Sequence, residues 1–95
     1  MTEKEKQKRA VVSVVGKDQV GIIAKVTTVL AENNINVLDI SQTILQDFFT
    51  MMMLVEVKEL SSLDVLRTDF ERVSSQLGLK INIQLEDIFQ SMHRV

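Results

Sequence analysis

The segment Gly16 to Gly21 (GKDQVG) has residue types that suit the binding of a small charged ligand. It joins a β-branched run to an amphipathic run, so its backbone N–H groups are predicted to lie at a helix N-terminus, where unpaired donors favour anions. Gly21 would let a ligand approach the backbone closely, and Asp18 could accept a hydrogen bond from an ammonium group. The segment indicates a site for a zwitterion, unless Asp18 only caps the helix and Gly16 only turns the chain.

Other chemistry finds less support in the residue types. A phosphate loop would need glycine where Val11 stands and serine or threonine where Asp18 stands. The one histidine is His93, close to the chain end, and there is no cysteine to act as a nucleophile or to form a disulfide. We therefore expect no catalytic residue, no cofactor and no metal site, and we interpret as a solvated helix surface the carboxylates of Asp64, Asp69 and Glu71.

Composition limits the classes of partner. The chain has 95 residues, of which 45% are hydrophobic and 25% charged, as in an ordinary globular domain. Its net charge of −2 disfavours nucleic acid, because non-specific binding depends on an excess of basic residues. No apolar run is long enough to span a bilayer and no leader pattern opens the chain, so we expect a cytoplasmic protein without a membrane partner.

The elements that must position the segment follow from periodicity. Strands are indicated by β-branched or alternating apolar residues, helices by apolar residues three and four apart, and turns by glycine, asparagine and the pair Gln46-Asp47. The predicted order is strand, helix, strand, strand, helix, strand: Ala10 to Val15, Val20 to Glu32, Asn36 to Leu45, Phe48 to Val57, Ser61 to Leu77 and Leu79 to Leu85.

This order, βαββαβ, predicts an α+β fold of the ferredoxin-like kind, in which a four-stranded antiparallel sheet carries two helices on one face. Residues 1–8 are predicted to be a mobile charged tail, residues 9–85 the domain, and residues 86–95 a short C-terminal helix or tail. The third strand is apolar on both faces, because Phe49, Met51 and Met53 point one way and Phe48, Met52 and Leu54 the other.

An uncovered apolar sheet face predicts a partner surface. We therefore predict a homodimer whose interface includes Phe48, Met52 and Leu54 on the third strand and Val11 and Val15 on the first. The alternative is that the methionines simply fill an irregular core. Acylphosphatase-like enzymes and RNA-recognition domains share the order of elements, but the former need arginine at the first turn and the latter need aromatic residues that the first strand does not have.

Residues 14 to 42, VVGKDQVGIIAKVTTVLAENNINVLDISQ, resemble an ACT domain, the regulatory module that senses amino acids in metabolic enzymes. The resemblance extends from about Arg9 to Leu85. The continuation TILQDFFTMMMLVEV is similar to the small stand-alone ACT proteins of unassigned function, which are similar to the glycine-cleavage regulatory protein group. The resemblance implies the βαββαβ fold and pairing of domains side by side or face to face.

The resemblance also implies a site formed across a dimer interface by the turn after the first strand and the start of the second. By motif position these are Asp18, Gly21 and Asn36, with Gln19 and Val20 as backbone neighbours. Asn36 is equally explained as a turn asparagine that opens a strand. Val20 stands where the family often has proline, so the helix start is expected to be less rigid.

Two functions remain in competition. The first is an amino-acid sensor, a homodimer that binds a small amino acid or similar zwitterion and signals to another regulatory or metabolic protein. The second is a ligand-free interaction module or regulatory subunit that docks through the face of Phe48, Met52 and Leu54. An enzyme of acylphosphatase type is the third and least supported hypothesis.

Overall fold

The structure, a computed structural model, describes residues 8–59 and 61–87. Its six elements confirm the predicted order and are β1 (Lys8–Lys17), α1 (Ile22–Glu32), β2 (Asn36–Leu45), β3 (Phe48–Val57), α2 (Ser61–Leu77) and β4 (Lys80–Leu85). The predicted tail and the predicted C-terminal helix lie mostly outside the described residues. Of the tail only Lys8 is described, and it opens β1; of the C-terminal segment only Glu86 and Asp87 are described, and both are helical.

The four strands form one antiparallel sheet in the order β2-β3-β1-β4. The chain crosses from β1 to β2 through α1 and from β3 to β4 through α2, and both helices pack on the same face of the sheet. The other face, called the open face below, carries no element from the described part of the chain. The ferredoxin-like prediction is thus confirmed in layers as well as in order.

The core lies between the helices and the sheet. Met51 and Met53 of β3 and Val12 and Val14 of β1 are at most 1% exposed, while Met52 between the two methionines is 37% exposed. The helices contribute the apolar stripes that the sequence predicts, with Ile22, Val26, Val29 and Leu30 from α1 and Leu63, Leu66, Phe70 and Val73 from α2.

Helix and turn ends follow local backbone chemistry. α2 stops at Gly78, whose φ of 68° is the left-handed conformation that commonly ends helices. α1 ends at Glu32 with Asn33 as its C-cap, and Asn34 then adopts φ 58°. Gln46 also has φ 58° in the two-residue turn between β2 and β3, so the predicted hairpin is confirmed.

One strand differs from its predicted pattern. Alternation predicts that Leu38 shares a face with Ile40 and Ile44, but Leu38 has no partner in the register, which passes from the pair Val37 and Val55 to the pair Asp39 and Leu54. The extra residue is a β-bulge, which shifts the alternation by one position. Val37 therefore takes the helix-side place expected of Leu38, whereas Asp39 keeps the open-face place that its alternation with Ile40 predicts.

Candidate functional site

The turn between β1 and α1 is shorter than the sequence predicts. β1 continues through Gly16, opposite Phe49, to Lys17, so Gly16 belongs to the sheet and the turn proper is residues 18–21. A Cβ atom at position 16 would lie 2.6 Å from Cδ2 of Leu79. Gly16 therefore serves close packing against the residue before β4, and its predicted role as the turning residue is wrong.

Gly21 is the N-cap residue of α1, with φ 96° and ψ −1°. No side-chain hydrogen bond caps the helix, and the first helical bond runs from the Lys25 N–H to the Gly21 oxygen at 3.0 Å. The amides of Ile22, Ile23 and Ala24 therefore have no acceptor within the helix. The alternative in which Asp18 caps α1 is wrong, because the cap position is held by a glycine three residues later.

Hydrogen bonds from Asp18 and Gln19 hold the turn in place from opposite sides. The Asp18 N–H donates to the Asp47 carbonyl of the β2–β3 turn at 2.7 Å. The Gln19 side chain donates from Nε2 to the Leu77 carbonyl at 2.9 Å and to the Lys17 carbonyl at 3.2 Å. Leu77 is the last residue of α2, so Gln19 satisfies one of the carbonyls that a helix C-terminus leaves unpaired. The turn is thus fixed to the hairpin and to the second helix.

The resulting surface has both charges that a zwitterion requires. The uncapped amides at the start of α1 carry the positive end of the helix dipole and favour a carboxylate. Asp18 is exposed within the same turn and offers a carboxylate of its own to an ammonium group. Val20 is 98% exposed and stands directly before Gly21, where it could contact an apolar part of a ligand or of a second chain.

Asn36 lies far from this turn within one protomer. It pairs with Glu56, which pairs with Arg9 near the start of β1, whereas the turn follows the end of β1. Eight strand residues separate Arg9 from Lys17, which corresponds to about 27 Å. The structure brings together Asp18, Gln19, Val20 and Gly21, and it does not bring Asn36 to them.

The five predicted interface residues share the open face. Val11 pairs with Leu54. The side chains of Val15, Phe48 and Met52 lie in other rows of the sheet and point to the same face. Phe48 is 55% and Met52 37% exposed, while Val11, Val15 and Leu54 are half-buried. A shallow hollow of about 190 Å³ lies among Val11, Met52, Leu54, Asp39 and Ser41, with backbone neighbours Ile40 and Met53.

Two features of the site leave little trace in the sequence. The carbonyls of Asp47 and Leu77 that hold the turn are backbone groups, so residue type could not have identified them. The open-face position of Asn36 depends on the β-bulge at Leu38, which a search for strict alternation overlooks. The sequence places Gln19 and Val20 in the turn, but it does not show the hydrogen bond that the Gln19 side chain makes to the Leu77 carbonyl.

Residues 8–59 and 61–87 contain neither a group of metal-binding side chains nor a helix that could cross a membrane. Among them, no three histidine, cysteine, aspartate or glutamate residues form a group that could hold a metal ion. No helix in the same ranges is long and apolar enough to cross a membrane.

Comparison with protein families gives one match over most of the chain. A family model described as the ACT domain matches residues 8–84. Two curated relatives named UPF0237 proteins are each 50% identical. The relative from Methanococcus maripaludis matches over 86 residues, 90% of this chain and 96% of its own length. The relative from Clostridium acetobutylicum matches over 88 residues, 92% of this chain and 99% of its own.

Solved structures give the same architecture. An ACT domain protein from Streptococcus pneumoniae is 44% identical, with a TM-score of 0.75 over 87% of this chain and 94% of that one. The regulatory subunit of aspartate kinase from Thermus thermophilus is 28% identical, with a TM-score of 0.66 over 81% of this chain and 50% of that one. A putative glycine cleavage system transcriptional repressor is 22% identical, with a TM-score of 0.75 over 83% and 46%, and supports the fold alone.

Proposed function

This chain belongs to the ACT domain family, and from that membership we propose that it is a regulatory module that binds a small amino acid or similar zwitterion and acts as a homodimer. The proposal takes its ligand site from the turn of residues 18–21 and its second subunit from the position of Asn36. The signal would pass to another regulatory or metabolic protein. Nothing in the arrangement of the described residues calls for a catalytic step.

The observation that carries the proposal is the uncapped start of α1 beside Asp18. Most helices satisfy these amides with a serine, threonine, asparagine or aspartate side chain at the N-cap. Here the cap is Gly21, and no side chain in the described part of the chain bonds to the amides. A ligand carboxylate would supply the missing acceptor, and Asp18 would pair with the ligand ammonium group.

A second subunit solves the separation of Asn36 from the turn. If β2 pairs antiparallel with the same strand of a second copy, the partner's Asn36 comes opposite Leu45 at the other end of β2. Leu45 pairs with Phe48 and Phe48 with Lys17, so this is the end of the sheet where the turn begins. Edge pairing thus brings Asn36 of the partner subunit to the correct end, about 27 Å from where its own chain places it.

The two edges of the sheet support β2 as the pairing edge. β4 has six residues, and Arg67 donates from Nη2 to the Ile83 carbonyl of this strand at 3.2 Å. β2 has ten residues and a single charge, Asp39, and no proline interrupts it. On its helix side Ile40 and Ile44 are 46% and 52% exposed. Protected edges are short, charged, bulged or covered. β2 is long, no described element covers its edge, and its one charge and its bulge both lie in its first half.

A panel of the twenty amino acids in a thermal unfolding assay tests the ligand. A ligand that binds only the native state at about 100 times its Kd stabilises by about 2.7 kcal/mol. For a domain of this size that corresponds to an increase in Tm of roughly 10 to 20 °C. We expect one or a few small amino acids to raise Tm in this way.

Asp18→Ala should abolish the increase, and Asp64→Ala is the matched control because Asp64 is an exposed carboxylate in the first turn of the other helix. Asn36→Ala should weaken the increase only if the site is shared between subunits. If the response survives Asp18→Ala, the proposed site is in the wrong place. If no amino acid at millimolar concentration changes Tm, the sensing function fails.

One observation favours the second candidate, a ligand-free interaction module. The Asp18 amide and the Gln19 side chain are already bonded within the chain, so part of the polar surface of the turn has a structural use. The exposed open face would then be the functional surface. A silent amino-acid panel together with a stable oligomer would support this candidate.

A further inference from the structure

The open face has charges of opposite sign at its two ends. In the rows of paired residues, Asp39 and Glu56 lie toward the start of β1, and Lys17 and Lys80 lie toward its end. None of these four forms an ion pair within the described ranges of the chain. Arg9 at the acidic end is neutralised by Glu86 at 2.8 Å. The acids Asp18 and Asp47 lie in turns beyond the last paired row.

Asp39 and Lys80 are symmetric about the middle of this face. The central row is Ser41, Met52, Ser13 and Asn82, one residue from each strand. Asp39 lies one row to one side of it on the outer strand β2, and Lys80 lies one row to the other side on the opposite outer strand β4. With strands about 4.8 Å apart and rows about 6.8 Å apart, each lies about 10 Å from the midpoint of Met52 and Ser13.

This symmetry matches what a two-fold interface needs. A two-fold axis that lies between two open faces, parallel to both sheets and perpendicular to the line from Asp39 to Lys80, places each Asp39 over the partner's Lys80. The strands of the two sheets then cross at roughly a right angle, which is one of the two usual ways in which sheets pack. Packed sheets lie about 10 Å apart, a gap that the flexible four-carbon stem of lysine helps to bridge.

We propose that the open face binds the open face of a second copy of this chain about that axis, so that Asp39 pairs with the partner's Lys80 twice in each interface. The apolar centre agrees with this arrangement. Val15 lies one row from the central row, on the same side as Lys80. The two-fold rotation places it over the hollow of about 190 Å³ on the other copy, which Val11, Met52 and Leu54 line beside Asp39. The hollow thus receives an apolar side chain, and the charged pairs set the orientation.

The contact is separate from the pairing of β2 edges proposed for the ligand site. One uses a face and the other an edge of the same sheet, so both can form at once. Two different two-fold contacts on one chain close into four copies only where their axes cross at a right angle, and otherwise they continue into an open assembly. The open-face contact accounts for the interface residues predicted from the sequence, and the edge contact accounts for Asn36.

Charge reversal at one partner tests the pairing. Lys80→Glu places like charges opposite each other twice per interface and should raise the Kd of the open-face contact at least about tenfold. Sedimentation velocity over a range of concentrations measures this as a loss of one assembly step. Lys25→Glu makes the same change of charge at an exposed residue of α1, away from the open face, and should leave the assembly unchanged. The double variant Asp39→Lys with Lys80→Glu restores opposite charges and should restore the assembly.

A second pair of variants changes the side chains less, so that a loss of assembly is not caused by misfolding. This matters because Asp39 Oδ1 also accepts a hydrogen bond from the Ile40 N–H at 2.9 Å. Asp39→Asn keeps an acceptor there and Lys80→Gln keeps most of the stem, so each should weaken the contact without disturbing the bulge. Their effects should be strongly non-additive if the two side chains meet. Circular dichroism of each variant establishes that the fold is retained.

Several results would overturn the proposal. The first is that the wild-type chain shows no association step that Lys80→Glu removes, at any concentration. The second is that Lys80→Glu and Lys25→Glu affect the assembly equally. The third is that the double charge reversal does not restore the assembly and that the effects of Asp39→Asn and Lys80→Gln are additive. The ligand site is tested independently, because Lys80→Glu should leave the amino-acid response of Tm unchanged. If the edge contact fails but the open face holds, Lys80→Glu converts a dimer to a monomer; if both hold, it reduces the larger assembly to the dimer formed by the β2 edges.

Discussion

The two faces of β3 are equally apolar in sequence but differ in structure. Met51 and Met53 are buried beneath the helices, whereas Met52 between them is 37% exposed on the open face. Val55 is fully buried, and Leu54 beside it is only half-buried. The same residue types on one strand thus serve a core on one side and a candidate contact surface on the other, and only the position of the helices distinguishes them.

The largest expected difference between the faces comes from shortening one methionine on each. Met53→Ala removes a side chain that is 1% exposed and should lower the free energy of unfolding by about 2 to 5 kcal/mol, since a buried cavity results. Met52→Ala should lower it by about 1 kcal/mol or less. Urea unfolding at low protein concentration measures both, and equal losses would contradict the assignment of the faces.

Gly16 sharpens the comparison at the end of the covered face. In Gly16→Ala the new Cβ would lie 2.6 Å from Cδ2 of Leu79, so the Leu79 side chain must shift, while its Cα at 3.4 Å stays in ordinary van der Waals contact. We expect a loss of about 1 to 3 kcal/mol from this overpacking. Combining it with Leu79→Ala should cost less than the sum of the two single changes. Additive losses in the same urea assay would show that the two positions do not meet.

Most of the fold follows from periodicity in the sequence. The alternation of β3 and the apolar stripes of α1 and α2 each point to one set of buried residues, and local signals such as Gly78 and Asn33-Asn34 mark where the helices end. The bulge at Leu38 escaped prediction because inserting one residue leaves the composition of a strand unchanged. It also decides that Asn36, at the start of β2, faces the open surface.

The candidate site is predicted less completely. Asp18 and Gly21 are recognisable because their residue types suit a turn before a helix, and the structure places them together. The backbone freedom of glycine favours a turn at Gly16, but the function of this residue is to lack a Cβ beside Leu79. The crossover through α1 starts β2 at the end of the sheet where β1 starts, so Asn36 lies away from the turn of its own chain, and the sequence does not show where a second chain would place its Asn36.

A smaller effect is expected where the turn meets the helix layer of the covered face. Gln19→Ala removes the donor to the Leu77 and Lys17 carbonyls, both at an exposed site, and should cost about 0.5 to 1 kcal/mol. Gln19→Lys should recover most of this, because an ammonium group can donate to the same carbonyl and suits a helix C-terminus. Gln76→Ala, an exposed change on α2, is the control. If the lysine variant is no more stable than the alanine variant, the bond contributes nothing.

The smallest effect on the stability of one chain is expected where the helix side of the sheet is left uncovered, at the β2 edge. Ile44 is 52% exposed, so Ile44→Lys should change the free energy of unfolding of the single chain by no more than about 0.5 kcal/mol. The same lysine puts a charge at the edge and should prevent pairing with a second β2. Sedimentation should therefore show that the β2 edges no longer associate, and the amino-acid response of Tm should fall as well, since the partner's Asn36 no longer reaches the turn. Val65→Lys, a change from one apolar residue of similar exposure on α2, is the control. Retention of both the edge association and the response in Ile44→Lys would place the pairing elsewhere on the molecule.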